Sequence, residues 1–162
     1  MTGRDDGVPF ERTATRIGDR VQRVLQESAE AAVLLRELLR EPAVRRMELV
    51  RQEPRFRLVK LCHRLEAESR EAWAADPARA VELAQLAVEI AERLDVRDYA
   101  ESLIADTRAM AWAHLGNALR IASDLGGAEA ALARAEAHYH RCEVDLLTEA
   151  EILGFQTSLR NT

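Results

Sequence analysis

The chain has 162 residues, enough to bury a core as one domain, and a formal charge of -5. Apolar residues make up 48% and aromatics only 4%, which excludes a disordered chain and disfavours strands, since these draw on β-branched and aromatic side chains. The acidic balance argues against a nucleic-acid binder, and no apolar run approaches the ~20 residues that cross a bilayer.

The expected fold class is all-α, because Ala and Leu dominate the apolar set and suit closely packed helices. Charge is uneven along the chain. Residues 1–60 carry 13 Lys+Arg against 10 Asp+Glu, or +3, and residues 61–162 carry 10 against 18, or -8. Lys60 is the only lysine among the 23 cationic residues. There is no charged segment followed by an apolar leader, and Cys62 and Cys142 make no disulfide framework, so a reducing cytoplasm is the expected location.

Residues 1–9, MTGRDDGVP, lack periodicity and read as a disordered or extended arm. Residues 10–162 read as one helical domain, with N-terminal helices over 10–74 and a repeat region over 77–162. A first helix is expected from Phe10 to Arg40, with the stripe Ile17, Val21, Val24, Ala31, Leu35 and Leu38 stepping by three or four. Ser28 fills the gap in it. Pro42 and Pro54 read as helix starts, where a missing N–H is harmless, giving a short helix over 42–51 and a longer one over 54–74. Asp76-Pro77 is the clearest boundary, an N-cap carboxylate followed by proline, and opens a helix to about Leu94. Further helices are expected over Arg97–Ser123, Ala128–Arg141 and Leu146–Leu159. Every connection is short, which makes consecutive helices antiparallel neighbours.

The most informative stretch runs from Met110 to Tyr139. Trp112, Leu115, Gly116 and Leu119 occupy one helix, and Ala128, Leu132 and Ala135 occupy the next. Gly116 and Ala128 are small where two helices must approach closely, and Trp112, Leu119 and Leu132 fill the space around them. This stretch resembles the tetratricopeptide repeat, a helix-turn-helix of 34 residues. It departs at His140, where a proline often closes the repeat, and at Leu119, where tyrosine is usual. A weaker copy lies at Ala80, Ala84 and Ala87, after Asp76-Pro77. The longer resemblance is to N-terminal portions of bacterial tetratricopeptide proteins, carried by DPARA…LA and AW..LGNALR.

That resemblance implies a short, irregular α-solenoid and a concave groove that binds a protein or peptide partner. Carried residue by residue, it places Met110, Ala113, Asn117 and Arg120 along the groove. Asn117 and Arg120 would hydrogen-bond a peptide backbone or a carboxylate. Asn117 also matches the asparagine of the chaperone-tail-binding subfamily, but Ala113 stands where that subfamily has lysine. The helix over Leu146–Leu159 looks like the first helix of a further repeat. Its apolar side, with Leu146, Ile152, Leu153 and Leu159, is expected to cap the array, to meet another copy as a homo-oligomer, or to continue into a longer protein.

Other residue groups carry weaker chemistry. Trp73 and Trp112 lie among small apolar neighbours and read as packing residues. His138 and Cys142, four apart, would share a helix face and hold one metal ion, but His140 points elsewhere and Cys62-His63 lies helices away, so no metal and no cofactor are expected. Phosphate loops, HExxH and GxSxG are absent, which makes catalysis unexpected. Arg12, Arg16, Arg20 and Arg23 share one face of the first helix, an alternative regulatory or nucleic-acid contact that Glu11, Asp19 and Glu27 dilute. The expected function is a non-catalytic adaptor or scaffold.

Overall fold

The computed structural model describes the backbone over residues 8–139 and 146–160, and side chains over 21–139 and 152–159. Among these residues every regular element is helical: α1 (Val8–Arg40), α2 (Ala43–Gln52), α3 (Val59–Ala72), α4 (Pro77–Glu92), α5 (Glu101–Ile121), α6 (Leu125–Tyr139) and α7 (Leu146–Arg160). The chain is all-α. No described helix is long and apolar enough to cross a membrane.

Side chains that bond to backbone decide where the helices begin and end. Asp76 is the N-cap of α4, its carboxylate accepting the Arg79 N–H at 3.0 Å, with Pro77 as the first helical residue. Arg46 closes the far end of α1. Its guanidinium donates to the Glu41 and Leu39 carbonyls at 2.8 and 3.0 Å and reaches Glu82 of α4 at 2.9 Å. Arg108 does the same for α4, donating to the carbonyls of Ala91 and Glu92 at 3.1 and 3.0 Å. An arginine suits both places because its fork satisfies two terminal carbonyls at once.

Four boundaries differ from the sequence reading. The first helix reaches back to Val8, into the stretch read as an arm; residues 1–7 lie outside the described residues. The long helix read over 54–74 is broken in two. Pro54–Phe56 forms a single 3₁₀ turn, Leu58 is extended at φ -117° and ψ 131°, and α3 starts only at Val59. Phe56, fully buried, anchors that break in the core.

The helix read from Arg97 starts at Glu101. Asp95 takes over the intervening backbone: its carboxylate accepts the Arg97 N–H at 2.9 Å and its carbonyl the N–H groups of Asp98 and Tyr99. The helix read from Ala128 starts at Leu125, after a turn at Ser123, which adopts the left-handed φ of 66°. Asp124 then accepts the Gly127 N–H at 2.9 Å, which draws both glycines into the first turn of α6.

The helices meet in a regular order. The most extensive contacts join α5 to α6, α3 to α4 and α4 to α5; α1 also lies against α3, α3 against α5 and α5 against α7. The main core runs from Leu34, Leu35 and Leu38 of α1 through Leu61 and Leu65 of α3 to Leu83, Leu86 and Ile90 of α4. A second core gathers Ala109 and Ala113 of α5, Leu132, Ala135 and Tyr139 of α6, and Ile152 of α7.

Candidate partner-binding face

The helix α5 carries all four residues singled out for a groove, and its neighbours fix what each can do. Gly116 faces α6 at a close approach of the two backbones: a Cβ placed there would lie 2.8 Å from Leu132 Cγ and 3.2 Å from the Ala128 carbonyl oxygen. The small residues therefore meet as their spacing suggests. Locking α5 to α6 through this edge turns Ala109 and Ala113 toward α7, and His114 toward α3.

Met110 and Arg120 are half-buried, whereas Ala113 and Asn117 are buried at 0% and 3% exposure. Ala113 is enclosed in the core shared with α6 and α7, so its methyl group packs and does not present itself to solvent. Asn117 and Arg120 are brought together: the Arg120 Nε and Nη2 donate to Asn117 Oδ1 at 3.2 and 3.0 Å. The pair holds the arginine along the helix and leaves its remaining N–H donors for an acceptor.

Beside this pair lies a polar cluster that the sequence reading passed over. Glu66 of α3, 4% exposed, places Oε2 4.0 Å from Nε2 of His114, 2% exposed. The Cys62 thiol donates to Glu66 Oε1 at 3.5 Å and to the Ala87 carbonyl at 3.3 Å. Burial, with Arg70 and His63 adding positive potential, pushes the His114 pKa down to about 4, so the ring is neutral at pH 7. Burial, reinforced by the Glu66 carboxylate, raises the Cys62 thiol well above its usual range. A buried carboxylate, a neutral imidazole and a protonated thiol form no activated nucleophile. They tie α3 to α5. The signal for them was in the sequence: Cys62, Glu66 and Ser69 step by four and three along the face of α3 that also carries Leu65, so an acid sits on a buried side.

The remaining candidates sort by position. Trp112 is half-buried, donates its Nε1–H to Glu92 at 2.7 Å, and carries the Arg134 guanidinium 4.6 Å above its ring. His138 approaches the same Glu92 oxygen at 3.2 Å, so that carboxylate bridges α4, α5 and α6. Trp73 meets the Phe155 ring edge-on at 6.4 Å, and Phe155 in turn meets His114 at 5.6 Å. Both tryptophans pack.

No cluster of metal-ligating side chains occurs among the described residues; His140 and Cys142 lie outside them, as do the side chains of Arg12, Arg16 and Arg20. On α7 the apolar side meets the preceding helices. Ile152 is 4% exposed and Leu159 packs beside it against α5 and α6, while Leu153 is 52% exposed; the side chain of Leu146 lies outside the described residues.

The helices α3 and α5 thus carry His63 and Arg70, exposed on α3, Met110 and Arg120, half-buried on α5, and buried Asn117 bonded to Arg120. No protein-family model matches the chain, and neither a curated protein nor a solved structure matches it.

Proposed function

We propose that the chain is a non-catalytic adaptor of tetratricopeptide-like build that binds a protein or peptide along the strip formed by α3 and α5. The observation that carries this reading is the order of neighbours. Each odd-numbered helix lies beside the next odd-numbered one while α3 and α5 also pack extensively on the helices that follow them. Stacked helix pairs generate this pattern, and the aligned first helices then offer one continuous face. Arg70, Arg120 and Asn117 give that face hydrogen-bond donors, two of them cationic, which suits carboxylate groups of an extended or helical peptide. The buried Glu66–Cys62–His114 cluster fits a binding role better than a catalytic one.

The test is selection of peptides from a displayed library on the purified chain, followed by calorimetric titration of those recovered. Acidic side chains or a free C-terminal carboxylate should dominate among them. The single variants Arg70→Glu and Arg120→Glu, and the double variant Asn117→Ala/Arg120→Ala, should lose binding while keeping native helicity. Recovered peptides that bind all three variants at full affinity would remove this face from the proposal.

A further inference from the structure

Two surfaces among the described residues complement one another. The first is the upstream half of α1. Its apolar stripe is a single series, yet Ala31, Leu35 and Leu38 are buried at 0%, 7% and 0% while Val21 and Val24 are exposed at 53% and 43%. Leu25, next to them, is 61% exposed. The body stops at Glu27, whose carboxylate accepts the Lys60 N–H at 3.1 Å and the Tyr99 hydroxyl at 2.9 Å. Residues 21–26 are all exposed, and α1 continues upstream from there to Val8. The stretch over 8–26 is roughly 28 Å of helix.

The second surface is a groove of about 490 Å³ between α6 and α7. Leu125, Leu132 and Leu159 line it, and Glu129 and Glu136 stand on the α6 wall. Leu125, Glu129, Leu132 and Glu136 step by four, three and four, so one face of α6 presents leucines and carboxylates in alternation. Leu125 is 44% exposed there.

We propose that the upstream half of α1 from one copy of this chain docks in the α6–α7 groove of a second copy, joining copies head to tail. The apolar stripe supplies a side chain series at helical spacing that can cover the exposed Leu125 at the mouth of this groove. Charge selects this occupant over a second α1. The α1 stretch 8–26 contains Arg12, Arg16, Arg20 and Arg23, the segment 1–60 carries +3, and the segment 61–162, which includes the groove, carries -8. Pairing α1 with its own copy would bring the arginines together, whereas the groove meets them with glutamates. The contact joins two different surfaces, so each added copy leaves one helix and one groove open, and the assembly grows. It leaves the α3–α5 strip free and does not depend on peptide binding there.

Light scattering coupled to size exclusion, on the whole chain across the micromolar range, tests this. The mass should rise with concentration past twice the 18.2 kDa of one chain, and fall again with added salt. Val24→Asp and Leu125→Asp alter exposed positions, the latter in the first turn of α6 where an acid is favoured. Each should hold the chain at monomer mass with an unchanged circular dichroism spectrum; Val21→Asp and Glu129→Lys serve in their place if either misfolds. Mixed together, Val24→Asp chains keep a groove and Leu125→Asp chains keep a helix, so the pair should form a one-to-one complex and nothing larger. Monomer mass at every concentration, a Leu125→Asp chain that assembles like the unaltered one, or a mixture that stays monomeric would each overturn the proposal.

Discussion

Replacing Gly116 with alanine isolates the contact that joins α5 to α6. In an open helix interior the change stabilises by about 1 kcal/mol, because alanine loses less backbone freedom on folding. At Gly116 the new methyl group would stand 2.8 Å from Leu132 Cγ and 3.0 Å from its Cδ2, with the Ala128 carbonyl oxygen at 3.2 Å behind them. Leu132 is only 3% exposed and packs between α5 and α7, so it has little space to retreat into. Overpacking of this kind destabilises by about 1–3 kcal/mol, which exceeds the propensity gain and leaves a net loss of up to ~2 kcal/mol. Thermal unfolding followed by circular dichroism should show the midpoint falling by roughly 2–4 °C per kcal/mol for a chain of this size.

Two companion variants make the reasoning decisive. At Gly126 a Cβ would meet no atom within 4 Å, so Gly126→Ala should be neutral or stabilising by up to about 0.5–1 kcal/mol. In a Leu132→Ala background, itself destabilised by about 2–5 kcal/mol, the collision with the side chain is gone. Gly116→Ala should there lose most of its effect, an interaction energy that a double-mutant cycle reads directly. If Gly116→Ala raised the midpoint as Gly126→Ala does, the close approach of α5 and α6 would be refuted.

Two further predictions concern the polar cluster. The His114 pKa is lowered to about 4 in the folded chain from an ordinary value of 6.5, so between those values the unfolded chain binds the extra proton and stability falls as pH drops. The midpoint should decline from pH 6.5 toward pH 4 beyond any general acid effect, and His114→Gln should flatten that part of the profile; equal slopes in the two chains would dismiss His114 as its source. Cys62, fully buried with its thiol pKa raised, should resist a thiol reagent in native buffer when tested in a Cys142→Ser chain, and react at a rate set by unfolding. Immediate labelling of Cys62 in folded protein would contradict the packing between α3 and α4.

The strip proposed for partner binding was only half legible beforehand. The resemblance to the tetratricopeptide repeat singles out Met110, Ala113, Asn117 and Arg120, and Asn117 and Arg120 do sit together as acceptor and donor. What spacing leaves open is which face a neighbour covers. Ala113 is enclosed because α7 lies across α5, and α7 is far along the chain from α3, the helix whose neighbouring Trp73 its Phe155 reaches. Arg70 and His63 join the strip for the same reason. They stand on a different helix, and only the packing of α3 on α5 brings them near enough to His114 to act on it.

By itself the sequence determined the helical class, through apolar positions recurring every three or four residues and through proline and aspartate at boundaries such as Asp76-Pro77. It also determined the tight seam of Gly116 with Ala128 and Leu132, since two small residues at those spacings leave room for little else. Tertiary structure decided the breaks at Pro54–Leu58 and Asp95–Ala100, where Phe56 is drawn into the core and Asp95 gathers backbone N–H groups that would otherwise begin a helix. It also decided that Glu66 and His114 face each other in the interior, while Val21 and Val24 stay exposed on a stripe whose downstream members Ala31, Leu35 and Leu38 are buried. The physical reason is common to all of these. A periodic pattern states that a face is apolar or polar, but burial is a property of two surfaces, and the second is supplied by residues far away in the chain.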